Sequence, residues 1–357
     1  MEKRVLVLDI AASKTGALSV LQDFYGYVCD RAGTDGNCSD VRWTFVTGAQ
    51  GILEERPDKN VDIIIRSDVK ASSARRLRFE LIDGGAWINK ISPDIVFSLE
   101  NMIPRGIRQD IKQVLYIHQP VGFQHFKKFS LFRREEKEQA LYQKFYHPLI
   151  ISSAKRADRC VVQTEWMRKA LIHDIGGAGD NVFKVPPSIP DLTEYVEPGA
   201  FEKKRFFYPA SDLPYKNHAV IEEARKRLEA DGYDPEVIYT KDKLIPREEV
   251  FEEYARSTLL FPSYLETYGM PLGEARQFGN PILAADTDFA REVLVDYGNA
   301  HFFDAFDANA LAGLMKDVME DRIGPKEPSA EKSAEDQFGE LVDIILGCHG
   351  DVPFDTL

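Results

Sequence analysis

The chain has 357 residues, 44% hydrophobic and 29% charged, without repeats or low-complexity stretches, which excludes large-scale disorder and fits two domains better than one core. Its net charge of −13 is uneven: residues 1–190 hold 28 Lys and Arg against 23 Asp and Glu, whereas residues 191–357 hold 17 against 35. The acidic total speaks against nucleic acid as a partner, while a mildly basic first half can still face an anionic membrane. The longest apolar stretches, such as VDIIIR and PLIISSA, are too short to span a bilayer, and the start MEKRVLVLDI runs into an acidic residue without a cleavage site. The expected location is the cytoplasm. Cys29, Cys38, Cys160 and Cys348 are scattered without a Cys-x-x-Cys and read as free thiols.

In chain order, RVLVLDI, VRWTFVTG, VDIIIRS, DIVFSLE, QVLYIHQ, RCVVQT and VFKVPP are short apolar runs predicted as strands. Helical patterns such as ARRLRFELIDGGAWINKI and EWMRKALIHDI lie between them. A proline-rich region, residues 185–200, interrupts the pattern and reads as a linker. A second alternation follows, with strands RFFYPA, EVIYTK, TLLFPS, PILAAD and NAHFFDAF. Its helices include NHAVIEEARKRLEADG, PREEVFEEYARS, PLGEARQFG and ANALAGLMKDVMEDR, and SAEKSAEDQFGELVDIILG closes the chain. The expectation is an α/β protein with domains at 1–190 and 191–330 and a closing helix and tail at 331–357. Open α/β units of this kind bind ligands at the carboxyl ends of their strands.

One segment couples residue type to spacing. FPSYLETYGMPLGEA places Glu266 and Glu274 on either side of a Gly-x-Pro, with seven residues between them. Pro271 suits the first helical position, because its missing N–H is an orphan there anyway. Gly269 allows close approach to the backbone, and the amides of Leu272 and Gly273 are read as free at the positive end of the helix dipole. Carboxylates that accept from hydroxyls, beside amides that hold an anion, suit a ligand with hydroxyls and a phosphate. A nucleotide sugar has both.

On these residues the chain resembles the family 4 glycosyltransferases, retaining enzymes of the GT-B fold whose hallmark is Glu-x7-Glu in such a segment. The similarity continues through YPASDLPYKNH (208–218) and PILAADTDFAREV (281–293), and more loosely through IAASKTGALSVL and YIHQP in the first half. The resemblance implies two Rossmann-like domains facing across a cleft, the second holding the donor. It assigns Glu274 to the ribose hydroxyls, Glu266 to the sugar hydroxyls, and the amides of Met270, Leu272 and Gly273 to the sugar and diphosphate, with Gly269 and Pro271 shaping the turn. Lys216 would face the leaving diphosphate, where preorganised cations stabilise the departing charge. The family usually has an arginine a few residues earlier, where this chain has Ala210 and Ser211. Lys14 is the favoured substitute cation, with Lys241 and Lys243 as further candidates. ASKTG lacks the upstream glycine of a Walker A loop, although Gly16 at a helix start is compatible with a nearby phosphate. His118, at a strand's carboxyl end, matches a family histidine that contacts the transferred sugar; a capped histidine in a turn is the competing reading.

His125, His147, His173, His218 and His301 show no metal-ligand spacing in the sequence, and the family implies no bound metal. Basic clusters lie at Arg75, Arg76 and Arg78, and at Lys127, Lys128, Arg133 and Arg134. The second is interleaved with Phe123, Phe126, Phe129, Leu131 and Phe132, which suits lipid headgroups or a lipid diphosphate as well as ordinary packing on the core. The resulting expectation is a retaining hexosyltransferase without a cofactor, using a UDP-sugar in preference to a GDP-sugar. Its acceptor would be a lipid-linked glycan in surface polysaccharide assembly, and its location peripheral at the inner membrane face. A nucleotide-sugar epimerase of the same fold and a donor-binding protein without transfer are the alternatives. A dehydrogenase fits less well, since no Gly-x-Gly-x-x-Gly follows the first strand.

Overall fold

The computed structural model describes residues 2–12, 15–31, 40–54, 56, 60–241, 245–328 and 337–348. Contacts divide the chain into two compact units: Met1–Lys128 with Gln139–Ser188 and Asp336–Leu357, and Phe129–Glu138 with Ile189–Glu335.

The first unit is built on seven parallel strands: β1 (Lys3–Asp9), β2 (Val41–Thr47), β3 (Val61–Ile65), β4 (Ile95–Ser98), β5 (Lys112–Ile117), β6 (Arg159–Val162) and β7 (Val182–Lys184). Their order is β3-β2-β1-β4-β5-β6-β7, so the winding reverses between β1 and β4. Both faces of the sheet are covered, which explains why its central strands read as continuous apolar runs. Val5, Val7, Phe45 and Phe97 enter one buried cluster, and Leu6, Leu8, Val46 and Val96 enter the opposite one. Phe24, on the helix Thr15–Arg31, meets Trp43 and Phe97 edge-on at centroid distances of 5.8 and 5.6 Å.

The helix Gln337–Leu346 returns to this unit and adds Leu341, Val342, Ile344 and Ile345 to its core. Buried Arg159 donates to the carbonyl of Ile344 at 2.9 Å, and Lys3 Nζ to that of Leu346 at 3.1 Å. These bonds satisfy carbonyls that the end of a helix otherwise leaves unpaired. The segment read as a single helix, ARRLRFELIDGGAWINKI, is instead Ser73–Arg78, a five-residue π turn Phe79–Asp83, and Gly84–Ile91. Close approach of another chain segment accounts for the glycine after the turn: a Cβ on Gly85 would lie 2.0 Å from the Arg105 carbonyl oxygen.

The second unit has five parallel strands: β8 (Arg205–Tyr208), β9 (Glu236–Tyr239), β10 (Thr258–Phe261), β11 (Ile282–Ala285) and β12 (Ala300–Phe303). They are ordered β12-β11-β10-β8-β9, so here the winding reverses between β8 and β10. All twelve predicted strands are present. The helix after β10 spans Met270–Ala275, with Pro271 in its second position and not its first, and continues as a 3-10 turn Arg276–Phe278. Among the described residues, no helix is long and apolar enough to cross a membrane, and Cys160 and Cys348 are free thiols. Cys38 lies outside the described residues.

Candidate active site

In a doubly wound sheet, the loops leaving neighbouring strands on opposite sides of the reversal open a crevice at their carboxyl ends. In the second unit those loops follow β8 and β10, and they carry Lys216 and Glu266. Tyr208, the last residue of β8, is fully buried, and its hydroxyl donates to the Lys216 carbonyl at 2.7 Å while lying 2.8 Å from Ser263 Oγ. The Tyr264 amide donates to the Tyr215 carbonyl at 3.1 Å. Asn217, in the left-handed region at φ 57°, donates from its side chain to the carbonyls of Ala305 at 2.6 Å and Pro262 at 3.4 Å. The two loops are therefore stitched to each other independently of the charged residues.

Lys216 Nζ and Glu266 Oε1 form an ion pair at 2.5 Å, with only 17% and 13% of the side chains exposed. The sequence treats these residues as separate contacts for the two ends of a donor, whereas the fold makes them partners. A charge-assisted bond in so dry a setting holds both side chains in place.

Gly269 precedes the helix at φ 91°, a backbone state that favours glycine. One expectation is corrected at this point: the amide of Leu272, read as free, donates to the Gly269 carbonyl at 2.8 Å. Gly273 is buried, and a Cβ there would lie 3.0 Å from Ile189, so its lack of a side chain serves packing as well as backbone approach. Met270 and Pro271 at the helix start are partly exposed.

Glu274 is 7% exposed and accepts from the Tyr254 hydroxyl at 2.9 Å through Oε2, while its Oε1 lies 3.5 Å from Arg247. Burial, reinforced by the charge of Glu274, pushes the Tyr254 phenol well above its ordinary pKa, so it stays a hydrogen-bond donor. Sequence reasoning missed both partners. They lie seven residues apart on the helix Arg247–Arg256, two turns along one face, and that periodicity was the available signal.

Where the resemblance leads to the expectation of an arginine, Ala210 is buried and Ser211 is exposed, and the Ser211 carbonyl lies 2.9 Å from His218 Nε2. His218 is thus a buried, hydrogen-bonded side chain that shapes this loop. Lys241 lies over the ring of Tyr239 at 4.9 Å. Lys14 and Lys243 lie outside the described residues, and Gly16 is the second residue of the helix Thr15–Arg31. His301 Nε2 lies 3.3 Å from Asn299 Oδ1.

In the first unit, His118 follows β5. Asn101, left-handed at φ 62°, accepts from the His118 amide at 2.7 Å through Oδ1 and places its Nδ2 3.3 Å from His118 Nε2. Because an amide nitrogen donates, this network assigns the ring proton to Nδ1, which is buried without a partner among the described residues. Desolvation pulls the His118 pKa down to about 4, so the ring is neutral near pH 7.

The reversal point of the first sheet holds carboxylates that sequence reasoning passed over. Asp9 ends β1 and Glu100 follows β4; they are 3% and 9% exposed, and Asp9 Oδ2 is buried without a hydrogen-bond partner among the described residues. Glu100 accepts from the Ala11 amide at 2.8 Å and Asp9 from the Ala12 amide at 3.1 Å, while Lys70 donates to the Ala12 carbonyl at 2.8 Å. Burial first, and then the Glu100 charge, raise the Asp9 pKa well above its ordinary value. Glu80, buried nearby and 4.0 Å from Arg76, is pushed up to about 7, mainly by desolvation. The position of Glu100 at the carboxyl end of a strand, the criterion that selected His118, was the legible signal.

In the basic aromatic segment, Phe123 and Phe129 are buried, as the packing alternative expects, while Phe126 and Phe132 are 63% and 100% exposed. The segment forms no helix beyond the short turn Arg134–Glu136.

With this geometry in view, residues 222–337 match the family model described as glycosyl transferases group 1, a stretch that includes Glu266 and Glu274 but not Lys216. No curated protein matches the chain in sequence. Among solved structures, HepE of Anabaena in complex with UDP and glucose aligns with TM-score 0.59 and 15% identity over 90% of each chain. WaaG, a glycosyltransferase involved in lipopolysaccharide biosynthesis, aligns with TM-score 0.57 and 13% identity over 96% of this chain and 100% of its own. Sucrose-phosphate synthase of Thermosynechococcus elongatus aligns with TM-score 0.59 and 13% identity over 96% and 94%. The chain has the GT-B fold, and its second unit carries the glycosyl transferases group 1 segment, which bears out the resemblance read from its motifs.

Proposed function

We propose that this GT-B protein transfers a hexose from a nucleoside diphosphate sugar, of the UDP class, to an acceptor hydroxyl with retention at the anomeric carbon. The observation that carries the reading is the Lys216–Glu266 pair between the two switch-point loops, with Glu274 held by Tyr254 on the helix that follows. On donor binding, the diphosphate takes Lys216 and the sugar hydroxyls take Glu266, so one preformed contact is exchanged for two. Glu274 accepts from the ribose hydroxyls, and Gly269 leaves room along the sugar. As the glycosidic C–O bond breaks, its electron pair stays on the β-phosphate oxygen beside Lys216. That oxygen accepts the acceptor's proton as the new C–O bond forms on the same face. Neither glutamate acts as a base.

The UDP class is supported by HepE, solved with UDP and glucose and with UDP-glucose, and the surface-glycan role by WaaG, involved in lipopolysaccharide biosynthesis. Exposed Phe126 and Phe132 beside Lys127, Lys128, Arg133 and Arg134 support an acceptor that is a lipid-linked glycan, met from the cytoplasmic side of an anionic membrane. The test is thermal-shift screening against nucleoside diphosphate sugars, since a ligand of the native state raises stability with its concentration over Kd, followed by transfer with the best donor. Stabilisation by UDP-sugars with nucleotide release that depends on acceptor supports the proposal. Binding without release over a broad acceptor panel favours a donor-binding protein, the reading suggested by Ala210 and Ser211 in place of the arginine. For the membrane, salt-sensitive flotation with anionic liposomes is expected, and flotation unchanged on charge reversal at Lys127 and Lys128 removes its basis.

A further inference from the structure

Three residues without ligand spacing in the sequence, His125, His173 and Asp174, each bring one ligand atom to within 4.8 Å of the others. His125 lies in the loop after β5, and His173 and Asp174 lie at the end of the helix Glu165–Ile175. His173 Nδ1 is 2.9 Å and His125 Nε2 is 3.8 Å from the same oxygen, Asp174 Oδ1. Metal–ligand bonds of about 2.0–2.1 Å put two ligands of a tetrahedral ion roughly 3.3 Å apart, a value these separations bracket.

The carboxylate is steered from behind. His147 Nε2 lies 2.9 Å from Asp174 Oδ2, and the His147 ring packs edge-on against Phe123 at 4.7 Å. A Cβ on Gly122 would lie 2.3 Å from His147 Nδ1, so the ring is wedged in place. Asp174 is 11% exposed at the side chain, whereas His125 and His173 are 67% and 77% exposed. A buried imidazole fixing a carboxylate, with two accessible imidazoles on its other oxygen, is the outer-shell pattern of metal sites.

We propose that His125, His173 and Asp174 bind a divalent late transition ion of the Zn2+ class, with its remaining positions open to water. Two imidazoles and one carboxylate select such ions over Mg2+ and Ca2+, which prefer all-oxygen sites. The ion fastens the loop after β5, which carries His118 seven residues before His125, to the helix Glu165–Ile175.

The test is equilibrium dialysis of the full chain with Zn2+ near neutral pH, with Co2+ absorption as a second readout. About one ion per chain is expected. His125→Ala and His173→Ala each weaken binding by at least ~100-fold and abolish the Co2+ band, while His147→Ala, which keeps all three ligands, weakens it by about 10- to 100-fold and keeps the band. Both ligand histidines are exposed, so these variants keep the fold. Cys348→Ser, which removes the exposed thiol, leaves binding unchanged. No bound ion in the wild type, unchanged binding in the doubly substituted His125→Ala/His173→Ala chain, or loss in Cys348→Ser overturns the proposal.

Discussion

The two sheets share a winding plan but place opposite electrostatics at their reversal points. Between β8 and β10, the second unit sets a lysine against a glutamate, so a largely buried negative charge has its counter-ion. Between β1 and β4, the first unit sets Asp9 beside Glu100 and meets the cost of burial by raising both pKa values. A diphosphate can replace a carboxylate as the partner of Lys216. No such exchange is available to two buried carboxyls, which suit neutral hydroxyls and a fixed backbone loop. The same topology therefore supplies a place for ligands, and the side chains decide their charge.

This contrast can be broken most forcefully at Lys216. Lys216→Ala is expected to lower single-turnover transfer by about 100- to 1,000-fold, as loss of a preorganised group at the leaving oxygen does, with a smaller loss of nucleotide affinity. Wild-type transfer in this variant would sink the catalytic assignment. Next in size is Tyr254→Phe, which strips a buried carboxylate of its donor. It should weaken UDP binding or the fold by about 1–3 kcal/mol, read by calorimetry and denaturant unfolding, whereas Arg247→Ala, at a more exposed and longer pair, should cost under about 1 kcal/mol.

The first unit is probed by pH. Glu80, with its folded pKa raised from 4.5 to about 7, binds more protons folded than unfolded between those values, so its contribution to stability is present below the lower value and lost as pH rises through the upper one. Glu80→Gln should therefore stabilise the fold at pH 8 by on the order of 1–3 kcal/mol and change little at pH 4, measured by parallel urea titrations. A gain equal at both pH values would remove the buried-carboxyl account. The smallest expected effect is none: EDTA should leave transfer by the doubly substituted His125→Ala/His173→Ala chain unchanged, because Lys216 supplies the positive charge. Inhibition there would mean that the reaction itself needs a metal.

All twelve strands were legible: the central ones because strands covered on both faces are uniformly apolar, and the partly exposed edge strands β3, β7, β9 and β12 as short apolar runs between turn residues. The Glu266–Glu274 spacing was legible for a similar reason: a loop, a Gly-x-Pro and a helix start fit within fifteen residues. The partners of those glutamates were not. Lys216 is fifty residues from Glu266 and Tyr254 twenty from Glu274, and the parallel crossovers that bring them together leave no pattern around the glutamates themselves; the spacing of Arg247 and Tyr254 marks only one face of their own helix. The π turn at Phe79–Asp83 was not legible either, and the Arg105 amide that donates to its Glu80 carbonyl at 2.8 Å is remote in sequence.

By itself, then, the sequence determined the alternation of strands and helices, the two-unit plan and the segment that carries the donor chemistry, all of which depend on residues close along the chain. Tertiary structure alone decided that Lys216 rests on Glu266, that His118 is neutral, and that His125, His173 and Asp174 meet. Each of these depends on burial or on a contact between distant segments, and neither is written in local spacing.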